Sequence, residues 1–310
     1  MSRPVAVITG AAQGIGLAAA QKLSATHRVA LLDLSAAALG ETAASCGADA
    51  ITAVCDITRQ DQVDAAVAHV VAEAGGIDVI VSNAGVAGGG ALRHIDPDVV
   101  AAIVNVNLVG NWRTIHACLP HVIERRGYVL GVSSAAAIAP SIMLGPYGAS
   151  KAGLEMLLDI LRVEVAHLGV AVGVAYFLWI DTDMVSGAER DLEAFNLMRG
   201  SLPGPMRETH PVGAAADAIV EGVLQRRSKV FTPSWLGAVS PARMALRTRL
   251  GSREARAIAP QLDALTAERV AEHGAFDGAM RETVAGEAAA ESAGHHLAAF
   301  EQAATPDQQG

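Results

Sequence analysis

Tyr147 and Lys151 stand at i and i+4 in a stretch of helical pattern, which puts both side chains on one helix face. A phenol with an intrinsic pKa of ~10 is a poor base at neutral pH, and an ammonium group one turn away favours its ionised form. Ser134 closes a strand-like run thirteen residues upstream of Tyr147, where its hydroxyl can hold a substrate oxygen while the phenol exchanges its proton. Asn107 lies inside a long helical segment, in Asn107-Leu108-Val109-Gly110. These four residue types suit proton transfer at an oxygen. A Tyr-x-x-x-Lys alone, however, occurs by chance in many helices.

A second set of residues fits an anion. The first strand-like run ends in Thr9-Gly10-Ala11-Ala12-Gln13-Gly14-Ile15-Gly16, and a helical pattern follows at once. Gly10 permits a tight turn, Gly14 lets backbone N–H groups approach a pyrophosphate, and Gly16 lets the helix pack closely on the strand. Asp33 ends the second run seventeen residues after Gly16, where a carboxylate can accept both ribose hydroxyls of an adenosine. It would repel a 2′-phosphate, and neither Gln13 nor Leu34 offers a compensating cation. This favours NAD over NADP; the competing reading is a solvated Asp ahead of a helix cap at Ser35. Asp56 with Ile57 follows the third run and can accept from an adenine amino group. Asn83-Ala84-Gly85 follows the fourth, its small residues leaving room for a dinucleotide to cross. Each could be only a turn; together they trace one groove. The positive nicotinamide ring would then help Lys151 to lower the Tyr147 phenol to ~7, a shift of about 4 kcal/mol.

The elements that must position these residues alternate. Strand-like runs fall at 5–9, 28–33, 49–55, 78–82, 128–133, 170–178 and 229–232, and helical patterns at 14–25, 35–45, 60–74, 97–124 and 147–167. Strands apolar on both faces and separated by helices predict a doubly wound α/β domain with a parallel sheet, a Rossmann fold, whose ligand sits at the carboxyl ends of the strands. The 310 residues are 51% hydrophobic and 18% charged, ample for a core, which at 4% aromatic must be built from Ala, Val, Leu and Ile. A net charge of -9 argues against nucleic-acid binding. Cys46, Cys55 and Cys118 have no metal-ligand spacing and, with no export segment, fit a reduced, cytoplasmic protein. His94, His116 and His210 likewise form no metal motif, so no metal is expected.

In order and spacing these motifs resemble those of the short-chain dehydrogenase/reductase family, over roughly residues 4–233. Thr9-Gly10-x-x-x-Gly14-Ile15-Gly16 is similar to its cofactor turn, Asn83-Ala84-Gly85 to its structural motif, and Asn107, Ser134, Tyr147 and Lys151 to its catalytic tetrad. The resemblance implies Tyr147 as acid/base, Lys151 on the nicotinamide ribose, Ser134 on the substrate oxygen, and Asn107 holding a water in a proton relay. It also implies a small-molecule substrate and a homodimer or homotetramer. The family usually has Pro-Gly after its sixth strand; here Phe177-Leu178 stand instead, ahead of Trp179-Ile180-Asp181-Thr182. Thr182 still matches the position that meets the nicotinamide carboxamide, with Ile180 beside it, but bulky residues should redirect the chain there.

Residues 135–143, 86–92 and 184–206 should line a pocket rich in Ile, Met, Leu and Phe, suited to a hydrophobic secondary alcohol or ketone, including steroid-like and long-chain compounds. Arg190, Arg199 and Arg207 in the last stretch leave room for an anionic substrate. An NAD-dependent oxidoreductase is the leading reading; an NADP-dependent carbonyl or 3-oxoacyl reductase and a non-catalytic dinucleotide-binding regulator are the alternatives. Residues 1–233 form the expected catalytic domain and 234–310 an extension, mostly helical with a frayed end. From Gln225 to Gln261 there are eight Lys/Arg and one Asp/Glu, and from Leu262 to Gly310 two and nine. Leu236, Val239, Leu246 and Leu250, interleaved with arginines, predict a basic amphipathic helix. Such a helix over 234–256 can lie on an anionic membrane, but packing on its own domain, a second subunit or the acidic tail is the simpler account. The two halves can attract each other and cover apolar surface near the substrate entrance, and neither contains a second catalytic set.

Overall fold

The computed structural model describes residues 3–246, 248 and 253–273. Seven parallel strands, β1 (Val5–Thr9), β2 (Arg28–Asp33), β3 (Ile51–Val54), β4 (Val79–Ser82), β5 (Tyr128–Val132), β6 (Ala171–Phe177) and β7 (Lys229–Thr232), form one sheet in the order β3-β2-β1-β4-β5-β6-β7. The order reverses between β1 and β4, and there the strand ends open a crevice. Neighbouring side chains of β1 show why both faces are apolar. Val5 and Val7 pack on one side with Val63, Ile115 and Leu154. Ala6 and Ile8 pack on the other with Ala19, Leu39 and Ile219. A strand whose side chains alternate between two buried layers must be apolar throughout.

The first layer is α3 (Gln60–Ala74), α4 (Pro97–Val104), α5 (Asn111–Glu124) and α7 (Gly145–Glu164); the second is α1 (Gly14–Leu23), α2 (Ala36–Cys46) and α10 (Val212–Gln225). Between them in sequence come the short α6 (Ala135–Ile138) and the pair α8 (Asp183–Asp191) and α9 (Glu193–Gly200). The helix expected over 97–124 is interrupted: a π-helical turn at Asn105–Gly110 separates α4 from α5. Gly110 allows that turn to press on the loop after β3, because a Cβ there would lie 2.9 Å from Ile57 Cγ1.

The extension departs further from expectation. The predicted amphipathic helix is broken into α11 (Leu236–Val239), a 3-10 turn at Ser240–Ala242 and α12 (Arg243–Leu246). Pro241, lacking an N–H, marks the break. Leu250 lies outside the described residues. The change from basic to acidic composition at Gln261/Leu262 is not a structural boundary, since α13 (Arg253–His273) runs straight through it. The tail from 274 on, with His295-His296, lies outside the described residues. Arg243 reaches the core, donating to Glu155 Oε1 at 2.7 Å, and Glu155 also accepts from the Tyr176 hydroxyl at 2.8 Å. Glu155 is buried on α7, one turn after Lys151, so this carboxylate ties the extension to the helix that carries Tyr147 and Lys151. No helix among the described residues is long and apolar enough to cross a membrane.

Candidate active site

The glycine turn lies against the end of β4. Gly10 and Gly14 have φ of +64° and +54°, where an L side chain is strained. A Cβ on Gly16 would sit 1.9 Å from the Gly10 carbonyl oxygen. Thr9 Oγ1 accepts from the N–H groups of Asn83 and Ala84 at 2.9 and 3.0 Å, and Asn83 Nδ2 donates to the Thr9 carbonyl at 3.0 Å. Asn83-Ala84-Gly85 therefore fastens β4 to the turn. Gln13 precedes α1 without a side-chain cap, so the first-turn N–H groups of Gly14, Ile15 and Gly16 can face an anion. A dinucleotide pyrophosphate fits this cradle because side chains would fill it.

At the tip of β2, Asp33 Oδ2 accepts from Ala12 N–H at 3.0 Å and Oδ1 from Leu34 N–H at 2.7 Å. The carboxylate thus joins the glycine turn to the β2 tip. Asp56 Oδ1 accepts from the Thr58 N–H and hydroxyl at 2.8 and 2.7 Å, an Asx turn that leaves Ile57 buried against the π-helical turn. Thr182 opens α8, and a Cβ on Gly14 would lie 3.3 Å from its Cγ2, so Thr182 meets the glycine turn despite the altered residues before it.

Across the crevice, Lys151, Asn107 and Gly85 converge. A Cβ on Gly85 would lie 3.1 Å from both Lys151 Nζ and Asn107 Oδ1. Lys151 is buried, donates to the Val132 carbonyl at 2.9 Å and stands 5.8 Å from the Tyr147 ring centroid. Ser134, at the end of β5, stands beside the Tyr147 side chain, where its hydroxyl favours the ionised phenol. Its hydroxyl also accepts from Ala136 N–H at 3.2 Å, which caps α6. Both Asn107 Nδ2 donors are engaged, on the Val86 carbonyl and Ser150 Oγ at 2.8 and 3.1 Å, and Oδ1 accepts from Val86 N–H at 2.8 Å. Its side chain fixes the loop after β4, and the π-helical turn gives it the room.

Burial pushes the Tyr147 phenol up, opposed by the neighbouring Ser134 hydroxyl, and burial pushes Lys151 down to about 8. Both groups lose hydration on burial, which disfavours the charged form of each.

Sequence reasoning missed Asn111. Fully buried, it accepts from Ser82 Oγ at 2.5 Å and donates to the carbonyls of Ala84 and Asn107 at 2.9 and 3.1 Å. A polar residue four positions after Asn107 in an apolar helix was the available signal. The Phe177-Leu178 departure turns the chain through Trp179, whose φ is +40°. Trp179 packs edge-on to Phe195 at 5.4 Å and donates Nε1–H to the Met206 carbonyl at 2.7 Å. Arg199 lies over the Trp179 ring, pairs with Glu189 and donates to the Arg207 carbonyl, so its charge is committed within the segment. Among the described residues no group of His, Cys, Asp and Glu could hold a metal.

Residues 4–193 match the family model for short chain dehydrogenases. The chain belongs to the short chain dehydrogenase family. An uncharacterized oxidoreductase of Myxococcus xanthus is 31% identical over 255 residues, covering 79% of this chain and 92% of that one. A putative ketoacyl reductase of the granaticin polyketide synthase of Streptomyces violaceoruber is 29% identical, covering 71% and 87%. Among solved structures, a short chain dehydrogenase/reductase from Burkholderia phymatum in complex with NAD superposes with a TM-score of 0.69 at 24% identity, covering 82% of this chain and 95% of that one. The chain is thus an oxidoreductase of the short chain dehydrogenase family, with that family's doubly wound sheet.

Proposed function

We propose that this short chain dehydrogenase interconverts a hydrophobic secondary alcohol and its ketone with NAD, using Ser134, Tyr147, Lys151 and Asn107. The observation that carries the reading is the convergence of Lys151 Nζ, 5.8 Å from the Tyr147 ring, with Asn107 Oδ1 at Gly85, beside the crevice that the glycine turn and Thr182 border. Bound NAD supplies the hydride acceptor for the alcohol. Gly10, Gln13, Gly14, Ile15, Gly16, Asp33, Leu34, Asp56, Ile57, Asn83, Ala84, Gly85, Ile180 and Thr182 are the residues that would hold it, with Lys151 and Tyr147 at its nicotinamide end.

The Ser134 hydroxyl holds the substrate oxygen. The Tyr147 phenol oxygen takes the alcohol proton in oxidation and returns it in reduction. Lys151 has donors beyond the one on Val132, enough for a ribose hydroxyl, and its ammonium steadies the phenolate. Asn107 acts through position, holding the Val86 backbone and Ser150 beside the pair. Tyr147→Phe removes only the hydroxyl. It should lower kcat by about 10²–10⁴-fold while leaving NAD affinity within twofold, as read by alcohol turnover and fluorescence titration. Near-normal turnover by this variant would overturn the assignment.

The likeness to a putative ketoacyl reductase favours a second reading, an NADP-dependent carbonyl or 3-oxoacyl reductase. Asp33 at the tip of β2 opposes it by repelling a 2′-phosphate. The reading also includes self-association as a homodimer or homotetramer, supported by Met156, Ile160 and Val163, which stand 57%, 47% and 77% exposed on α7. Light scattering on the full chain tests it, and a monomer at micromolar concentration would end it.

A further inference from the structure

α13 comes from the far end of the described chain, yet its buried face meets the segments that flank the catalytic residues. Leu262 is 0% exposed and packs with Phe195 and Met198 of α9, while Ile142, Met143 and Leu144, just ahead of Tyr147, pack on the same cluster. Thr266 fastens the helix to the stretch after β4, its Oγ1 accepting from Ala91 N–H at 3.1 Å and lying 3.7 Å from Met143 Sδ. Gly90 permits that approach, since a Cβ there would lie 2.9 Å from Thr266 Cγ2. On the outer edge Asp263 is bridged by Arg93 and lies 3.1 Å from His94 Nε2. One helix therefore joins the segment after β4, the loop before α7 and the helix pair after Thr182.

The sequence expectation places a substrate held by Ser134 and Tyr147 between residues 135–143 and 184–206, which include the loop before α7 and the segment after Thr182. Side chains of α9 and α13 pack against the loop before α7 in one cluster: Phe195 and Met198 are 6% and 1% exposed, and Leu262 joins them to Met143. We propose that α13 is a specificity-determining wall of the active site, which admits compact apolar alcohols and ketones and shuts out long-chain and polycyclic ones. The wall rests on the alcohol/ketone reading given above and narrows the substrate class expected from the sequence. Its surface is Leu, Ile, Phe and Met, so a charged group at the remote end of a substrate would lose its hydration without gaining a partner. A cleft of about 550 Å³ remains on the outer side, between α13 and residues 90–93 and 141–145. A long tail threaded through it is the competing outcome.

The test uses the full chain loaded with NADH and a series of ketones from cyclopentanone to a steroid ketone. Binding is followed by intrinsic fluorescence, since Trp179 belongs to the same cluster. Wild type should bind compact ketones more tightly than bulky ones. Leu262→Ala should shift the ratio of affinities toward bulky ketones by about tenfold, with NADH affinity unchanged, and Leu262→Met should restore the original order. Phe195→Leu, on α9 in the same cluster, should move the ratio the same way and serves where Leu262→Ala does not fold. Tight binding of the steroid ketone by wild type, or an unchanged ratio in the variants, overturns the wall alone. If wild type binds NADH but no ketone of any size, the alcohol/ketone reading fails and the wall with it.

Discussion

The cofactor side and the substrate side of the proposed active site are held by different means. On the cofactor side, short contacts to backbone dominate: the Thr9 hydroxyl and the Asn83 amide bond main-chain groups of the facing strand end, and Gly10 and Gly16 press on main-chain atoms. On the substrate side, side chains from Ile142, Trp179, Phe195 and Leu262 meet across long stretches of sequence. At Gly10 and Gly16 there is one workable geometry, because a Cβ would collide with main-chain atoms that cannot rotate away. A side-chain cluster can be refilled with other apolar groups of similar volume. One scaffold can thus keep the first and vary the second.

The largest effect expected from this contrast is at Gly16. Gly16→Ala puts a Cβ 1.9 Å from a carbonyl oxygen, and neither the turn nor α1 can yield without opening the anion cradle. NAD affinity should fall at least about a hundredfold, with a lower melting temperature. A single methyl at Gly213, whose nearest neighbour would be Lys22 Nζ at 3.9 Å, should leave affinity unchanged. Cofactor titration and thermal melts of both variants check this. Equal affinity in Gly16→Ala would show that the cradle adapts as readily as the substrate side.

The next effect is the pH dependence of stability. Lys151 has its pKa pushed down by burial to about 8, below the ~10.4 of an exposed lysine. Between those values the unfolded chain binds more protons than the folded one, so this residue's contribution to stability rises with pH. Below pH 8 the folded state carries the full cost of a buried ammonium. Cys55 and Cys118 oppose the rise, because burial pushes their thiols to about 12 and the unfolded chain releases those protons first. The measurement is therefore a difference: urea unfolding at pH 7.5 and 9.5 for wild type and Lys151→Met. Wild type should gain on the order of 2 kcal/mol relative to the variant across that interval. No relative gain would mean that Lys151 is hydrated in solution.

How much of this was legible in the sequence follows from the same contrast. The strands, the glycine turn, Asn83-Ala84-Gly85 and the Tyr147–Lys151 pair are local signals, each set within a few residues by periodicity or by spacing. Strand and helix ends moved by only a few positions; β3, for example, contracts to Ile51–Val54. The π-helical turn at Asn105–Gly110 was hidden because its residues keep a helical pattern, and the partners of the Asn107 side chain, the Val86 backbone and Ser150, lie far off in sequence. The pKa directions were hidden for a related reason, since desolvation belongs to the assembled site and not to any motif. The docking of α13 was least legible: Leu262 and Thr266 find partners more than sixty positions away, and no periodicity encodes a partner.

Cofactor preference gives a smaller effect on the rigid side. Asp33→Ala removes the charge that repels a 2′-phosphate, but also frees the N–H groups of Ala12 and Leu34. The preference for NADH over NADPH should fall about tenfold, equivalent to about 1.4 kcal/mol, mainly through tighter NADPH binding. Titration of both cofactors against intrinsic fluorescence measures it. Equal or tighter NADPH binding by wild type would place the chain with the NADP-dependent reductases instead.

The smallest effect lies on the substrate side, at the ion pair on the rim of α13. Arg93 donates both ends of its guanidinium to Asp263, a geometry that looks strong. The Arg93 side chain is nevertheless 69% exposed, so water competes for both partners and salt screens what remains. The apolar contacts of Leu262 and the Thr266 hydroxyl hold the same helix without that weakness, because they are buried. Arg93→Ala should therefore leave the thermal melt and the ketone preference of the full chain within experimental error, at both low and high salt. Were Arg93→Ala to loosen ketone selection as Leu262→Ala does, the wall would depend on surface charge. Its selectivity would then weaken with ionic strength, which a ketone titration in 0.5 M salt reads directly.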